Sequence, residues 1–104
     1  MKLIEQLSDY ISEEISDARK YAKLARQYRE ERPALAKCFY DLSMQEMDHM
    51  AALHRQVVEI INEYRRNTGE PPADMLAVYD YLHKKQMDRS EEVRLIQQMF
   101  LQGT

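Results

Sequence analysis

The stretch Gln45-Glu46-Met47-Asp48-His49 lies in the middle of a long helical pattern and decides how the rest of the chain is interpreted. Glu46 and His49 are three positions apart, so on an α-helix they lie on one face, one turn from each other. Apolar residues at steps of three and four continue that face on both sides: Leu35, Phe39, Leu42, Leu53, Val57, Ile60 and Tyr64. A carboxylate on an apolar face costs several kcal/mol unless it is neutralised, paired or bound to a metal. The stretch therefore predicts a metal site on a helix.

The residues before this stretch predict a second long helix, from Lys2 to about Arg32. Its face has the 3-4 spacing of a coiled coil and consists of Ile4, Leu7, Ile11, Glu14, Ala18, Tyr21, Ala25 and Tyr28. Glu14 interrupts this apolar face as Glu46 interrupts the other. The pair Arg32-Pro33 ends the first helix, because a residue before proline is pushed out of the helical region. The second helix runs from about Ala34 to Arg66 and stops at the turn-rich segment 67–72.

The two helices should form an antiparallel hairpin, and counting along it brings three polar side chains to one height. Glu14 lies 18 residues before the turn near Arg32, Glu46 lies 14 after it, and His49 lies 17 after it. At about 1.5 Å per residue, the height differences from Glu14 are roughly 6 Å for Glu46 and roughly 1.5 Å for His49. Side chains span such differences, so we expect Glu14, Glu46 and His49 to meet.

The remainder of the chain predicts two shorter helices. The first runs from Ala73 to about Met87, and Asp88-Arg89-Ser90-Glu91 then resembles a helix start with an acid three residues later. Both are expected to be too short to lie along the whole hairpin. A chain of 104 residues is expected to be one domain, residues 1–104, with the hairpin over 1–66 and a helical extension over 73–104.

Composition excludes several classes of function. The net charge of −3 gives no electrostatic case for nucleic acid or an anionic membrane. Cys38 is the single cysteine, which excludes an internal disulfide and a cysteine-based zinc or rubredoxin-type iron site. We expect its side chain to be a small buried apolar group. No apolar run approaches the ~18 residues of a membrane span, and the N-terminus turns acidic at Glu5 before a signal-peptide core could form. We therefore expect a cytoplasmic protein.

A glutamate from one helix with Glu-x-x-His from another is half of a di-iron carboxylate site, which takes two such sets from a four-helix bundle. The chain has one convincing set. Two chains related by a twofold axis would supply four carboxylates and two imidazoles, enough for two metal ions. The predicted fold is thus an all-α hairpin that dimerises into a four-helix bundle, with Glu14, Glu46 and His49 of both chains at the interface.

The stretch from Glu14 to Tyr21, followed by Glu46-Met-Asp-His49, resembles the ferritin-like superfamily and especially its rubrerythrin branch, over roughly residues 3–64. In that branch a first-helix Glu is followed seven residues later by Tyr and about thirty residues on by Glu-x-x-His; here the two glutamates are 32 residues apart. The chain lacks the second ligand set and the Cys-rich rubredoxin module of rubrerythrins. This shortened form is similar to the encapsulated ferritins, whose two-helix subunits build the di-iron centre between chains, although residues 97–104 do not resemble their shell-targeting peptide.

The resemblance implies two iron ions per dimer and oxidation of Fe(II) by oxygen or peroxide, a ferroxidase or peroxidase activity. Carboxylate-rich ligation suits manganese as well as iron. Glu14, Glu46 and His49 would be the metal-binding and catalytic residues. Two other classes of function stay open: an iron-storage subunit with little turnover, as part of a higher homo-oligomer, and a metal-free helical dimer that serves as an interaction module.

Residues near the predicted site also have structural interpretations. Tyr21 is either a hydrogen-bond donor to a ligand carboxylate or a core aromatic. Glu13 and Asp17 are either an outer acidic route for incoming iron or ordinary exposed acids.

The predicted ligands also have a structural interpretation, and one other pair in the sequence resembles a ligand pair. Glu14, Glu46 and His49 together are either metal ligands or a polar layer that fixes helix register through hydrogen bonds. Asp80-x-x-His83 imitates a second ligand pair, but the predicted fold gives it no partner helix of adequate length.

Overall fold

The computed structural model describes residues 1–104 and contains three α-helices and no strands. Helix α1 spans Lys2–Tyr28, α2 spans Pro33–Asn67 and α3 spans Ala73–Gln102. Pro33 occupies the first turn of α2, where its missing N–H leaves no helical hydrogen bond unmade. Helices α1 and α2 form the predicted antiparallel hairpin, so the all-α fold is confirmed. None of the helices has a stretch that is long and apolar enough to cross a lipid bilayer.

The C-terminal region differs from the prediction of two short helices, because residues 73–102 form one helix of 30 residues. The segment predicted as a helix start lies in the middle of α3. There the buried Ser90 Oγ donates to the Gln86 carbonyl oxygen at 2.8 Å, one turn back, so its hydroxyl is satisfied inside the helix. Helix α3 runs parallel to α1 along its whole length, from the contact of the Met1 amine with Met75 to the bonds from Arg26 to the Thr104 carbonyl oxygen. The expectation that nothing in the C-terminal region is long enough to lie along the hairpin was wrong.

The core between the helices includes part of the predicted apolar faces, namely positions 4, 11, 18 and 25 of α1 and Val57 of α2, and extends one row beyond them. Helix α1 buries Ile4, Ser8, Ile11, Ile15, Ala18, Ala22 and Ala25, and α2 buries Ala36, Ser43, Met47, Met50, Val57 and Ile61. The predicted positions 7, 14, 21 and 28 of α1 are only half-buried. Because α3 packs on the side of α1 that carries positions 8, 12 and 15, it shifts the centre of the core toward itself.

Polar groups hold α3 against α1. Gln86 Nε2 lies 3.0 Å from both the carbonyl oxygen and the hydroxyl of Ser8 and 3.1 Å from Ser12 Oγ. Ser12 and Glu14 are two positions apart, which is roughly 200° around a helix of 3.6 residues per turn. Helix α3 therefore covers one side of the hairpin and leaves the side with Glu14 open.

Candidate metal centre

Glu14 of α1 meets Glu46 and His49 of α2 at one height on the side of the hairpin that α3 leaves open. One ligand atom from each residue lies within 4.8 Å of the other two. His49 Nδ1 is 3.4 Å from Glu14 Oε2 and 3.7 Å from Glu46 Oε2. No other group of three His, Cys, Asp or Glu side chains comes together in the chain. The structure thus assembles all three residues of the predicted site, while their role as metal ligands stays a prediction.

The three side chains lie at the border of the core and solvent. The exposed fraction is 19% for Glu46, 26% for Glu14 and 59% for His49. The sequence places His49 on the apolar face, but within one chain it stands on the rim. The two glutamates reach the site from the half-buried row, so their carboxylates lie deeper than the imidazole.

A buried oxygen of Glu14 indicates that this group fits a cation. Glu14 Oε2 is buried and has no hydrogen-bond partner; the 3.4 Å approach of His49 Nδ1 lacks hydrogen-bond geometry. A buried carboxylate oxygen left in this state is destabilising by the desolvation cost of the charged group. A metal ion bound there would remove that cost. Two carboxylates and an imidazole are donors that suit Fe(II) and Mn(II), so the residues present fit the metal that the sequence implies.

The residues flanking the group have separate positions. The Tyr21 ring stacks on Phe39 of α2 with ring centroids 6.1 Å apart, and Phe39 in turn stacks on Tyr28 at 6.2 Å. Since the buried oxygen of Glu14 has no partner, Tyr21 does not bond to it; the contacts favour aromatic packing for Tyr21. Glu13 and Asp17 are exposed, and a role for them in delivering iron stays a prediction.

An apolar row extends along the same side of the hairpin on both sides of the Glu-His group. Its members are all half-buried: Leu7, Tyr21 and Tyr28 on α1 and Phe39, Leu42, Leu53, Ile60 and Tyr64 on α2. We call these eight residues, together with Glu14, Glu46 and His49, the open edge. Each apolar side chain of the open edge packs on its own chain and also faces solvent, because α3 lies on the other side.

A second cluster of titratable residues joins α2 to α3. The His54 and His83 rings stack 4.6 Å apart at 16°, and the Tyr79 ring lies 5.9 Å from His83. Burial lowers the pKa of His54, and the charge of His83 lowers it further. Burial also raises the pKa of Tyr79, with the charge of Asp80 adding to the effect.

This cluster gives His83 a neighbour that the sequence analysis did not anticipate. The prediction that the Asp80-x-x-His83 pair lacks an adequate partner helix was wrong, because the continuous α3 places His83 against α2. His83 Nδ1 is buried without a partner. However, imidazole lone pairs lie in the ring planes, so two stacked rings do not point at a common ion. We assign no metal to this pair.

A comparison with known protein families assigns the chain to one of them. The family model for rubrerythrin matches residues 5–100, which extends the resemblance of residues 3–64 into α3. No curated protein and no solved structure matches the chain. Members of this family typically bind iron, and the family includes oxidoreductases. The group of Glu14, Glu46 and His49 offers the carboxylate and imidazole donors of a di-iron carboxylate protein. The chain belongs to the rubrerythrin family, within the ferritin-like superfamily.

Proposed function

We propose that two copies of the chain pair along their open edges and hold a di-iron centre between them, where Fe(II) is oxidised by oxygen or peroxide. The observation that supports this most strongly is an incomplete ligand group on an uncovered surface. Two carboxylates and one imidazole converge there, and one carboxylate oxygen is buried without a partner. A di-iron carboxylate site takes about twice that number of ligands. A twofold-related copy would supply the same set again.

The open edge has the size and composition of a subunit interface. The molecule is 56 Å long and 18 Å wide, so one of its long faces offers roughly 1,000 Å², above the ~800 Å² per partner of a standard stable interface. Its eight apolar side chains are half-buried already. Pairing would complete their burial, and homodimer interfaces are more apolar than the rest of a protein surface.

Each ligand residue has a distinct task in the proposed reaction. Glu14 and Glu46 would hold the two ions through their carboxylate oxygens, and His49 would hold one of them through a ring nitrogen. When bound, iron supplies the one-electron redox change and the open positions for the oxidant. The carboxylates concentrate negative charge that favours the higher oxidation state, and two rigid helices keep them in place. Apolar neighbours such as Leu53 would exclude water once two chains are paired.

Metal content per chain tests the centre. The protein is loaded anaerobically with Fe(II), freed of excess metal, and analysed for iron while its mass in solution is measured. We expect two irons per dimer, loss of iron in Glu14→Gln, and retention in Glu31→Gln, which alters an exposed acid in the turn between α1 and α2. A dimer without stoichiometric iron or manganese would instead favour the interaction module, and a monomer with stoichiometric iron would exclude the shared site.

Turnover is tested separately, on protein that has passed the first measurement. Oxygen or hydrogen peroxide is added to the Fe(II)-loaded dimer, and Fe(III) formation is followed by absorbance over repeated Fe(II) additions. We expect many Fe(II) ions oxidised per site, with Glu31→Gln equal to the wild type. Oxidation of only the bound pair, with no further turnover, would favour the storage subunit.

A further inference from the structure

We infer that Ser43 and Gln97 are positioning residues for the metal ligands, because together they fix the height of α1 relative to α2. The inference rests on the proposed function, since it assigns these residues a task toward the centre formed by Glu14, Glu46 and His49. Neither residue belongs to that group, and neither is charged. Their role follows from a buried chain of hydrogen bonds that crosses all three helices.

This series of hydrogen bonds begins on α3 and ends on α1. Gln97 Nε2 donates to Ser43 Oγ at 2.9 Å, and Ser43 Oγ donates to the Ala18 carbonyl oxygen at 2.7 Å. Ser43 and Ala18 are fully buried, and Gln97 is 6% exposed. A hydroxyl has one proton to donate. Because Gln97 occupies an acceptor position of Ser43, it orients the hydroxyl so that this proton points at Ala18.

The Gln97–Ser43–Ala18 hydrogen bonds lie one turn from the metal ligands on both helices of the hairpin. Ala18 follows Glu14 by four residues, which is about 6 Å along α1, and Ser43 precedes Glu46 by three, which is about 4.5 Å along α2. A slip of one turn between the helices would move one ligand by about 5.4 Å. That exceeds the 4.8 Å within which the three ligand atoms now lie. The Ser43–Ala18 bond therefore selects a register in which the three ligand atoms lie close together.

The fully buried apolar side chains specify this register weakly between the Ser43–Ala18 bond and the turn. The buried residues of α1 beyond Ile15 are Ala18, Ala22 and Ala25, and Ala36 is buried on α2. Alanines form shallow knobs, so neighbouring registers differ little in packing. A buried polar contact discriminates sharply, because each wrong register leaves its donors and acceptors unpaired. The Ser43–Gln97 chain supplies this discrimination where the alanines do not.

The protein contains matched controls for both residues. Ser90 is as fully buried as Ser43, but its hydroxyl bonds to the Gln86 carbonyl oxygen of its own helix. Gln86 is as buried as Gln97, but the hydrogen bonds of its side chain join α3 to α1 through Ser8 and Ser12 and none of them reaches α2. Ser90→Ala and Gln86→Met therefore remove the same chemical groups without touching the α1–α2 register.

The test uses Co(II) as a coloured stand-in for Fe(II). Affinity is measured by titration, ligand geometry by the visible d–d absorption of bound Co(II), and folding by far-ultraviolet circular dichroism of the same samples. We expect about tenfold weaker Co(II) binding and an altered d–d spectrum in Ser43→Ala, as for the loss of a group that orients metal ligands. Gln97→Met should give a smaller effect in the same direction. Ser90→Ala and Gln86→Met should bind within about twofold of the wild type and keep its spectrum.

The outcomes separate this inference from the proposed function. Wild-type Co(II) affinity and spectrum in Ser43→Ala, with binding abolished by Glu14→Gln, would overturn the positioning role and leave the metal centre standing. Equal losses in Ser43→Ala and Ser90→Ala would also overturn it, because general destabilisation would then explain both. If Ser43→Ala fails to fold, the comparison of Gln97→Met with Gln86→Met decides in the same way. No Co(II) binding by the wild type would overturn both ideas.

Discussion

Pairing along the open edge predicts a large and selective effect of Leu53→Glu on dimerisation. Leu53 lies on α2 one turn beyond His49 and is half-buried against its own chain. In the proposed dimer, the partner chain would bury the remaining half. The substitution would then place a carboxylate in an apolar interface beside a centre that is already rich in carboxylates.

The size of the effect follows from burial and symmetry. Full burial of a leucine side chain contributes about 1.5–3 kcal/mol, so the half that remains for the interface is worth about 1 kcal/mol. Burying an unpaired polar group costs about 1–3 kcal/mol on the scale of protein mutational data. A twofold dimer contains the substitution twice, so the total is at least about 4 kcal/mol. At 1.4 kcal/mol per factor of ten, the dimer Kd should rise at least about 10³-fold.

Sedimentation velocity over a range of protein concentrations measures this Kd. Leu95→Glu is the matched control, because Leu95 lies on α3 away from the open edge and its side chain is 59% exposed. We expect Leu95→Glu to dimerise like the wild type and Leu53→Glu to be monomeric at micromolar concentration, with helicity retained. A Kd for Leu53→Glu within tenfold of the control, or a wild type that is monomeric throughout, would refute the reasoning.

The remaining predictions concern stability. A metal ion at 100 times its Kd should raise the unfolding free energy by about 2.7 kcal/mol; thermal melts with and without Co(II) should show this in the wild type and not in Glu14→Gln. Ile15→Ala removes a fully buried side chain and should lower the unfolding free energy by about 2–4 kcal/mol in urea titrations. Because burial and the charge of His83 lower the pKa of His54 in the folded chain, the unfolded chain binds more protons below the ordinary value of 6.5. The unfolding free energy should therefore fall as the pH drops below that value, and it should fall less in His54→Phe. Urea titrations at pH 7.5 and 5 that show the same loss of unfolding free energy in both proteins would contradict this.

The hairpin and the meeting of the three polar residues could be predicted because local features specify both. Pro33 and the segment 67–72 fix where α2 begins and ends, and a rise of about 1.5 Å per residue then sets the height of every side chain. Glu14, Glu46 and His49 thus come together from counting alone. Counting residues along the hairpin does not predict how buried each side chain is, since the exposure of His49 depends on where α3 packs.

Helix α3 was mispredicted because its buried side mixes the apolar Val93 and Ile96 with polar residues. Gln86, Ser90 and Gln97 are buried, while Leu95 is exposed. An apolar stripe at helical spacing is the usual sign of a buried helix face, whereas α3 also buries the amides of Gln86 and Gln97, which bond to α1 and α2. The segment Asp88-Arg89-Ser90-Glu91, which resembles a helix start in sequence, lies inside this helix. Cys38, expected to be a small buried residue, is exposed.

The position of α3 also explains why the core extends one row beyond the predicted face of α1. Helix α1 has two adjacent rows of apolar and small residues, through positions 7, 14, 21 and 28 and through positions 8, 15 and 22. Periodicity alone cannot choose between them, because both share Ile11 and Ala18 as neighbours. Helix α3 covers the second row. The first row becomes the open edge.

The alternative interpretation of Glu14, Glu46 and His49 is a polar layer that fixes helix register. The polar layers to which α3 contributes can be compared with it. The protein has such layers elsewhere: Gln97 with Ser43 across the three helices and Gln86 with Ser8 between α1 and α3. In both, the donors meet acceptors at hydrogen-bond distance in the core. The Glu-His group has the opposite properties, since an oxygen of Glu14 is unpaired and His49 faces solvent. A polar layer left partly unsatisfied destabilises the fold that it should specify. The register is therefore accounted for without the Glu-His group, and the cost of keeping these carboxylates together is explained better by a bound cation than by a structural role.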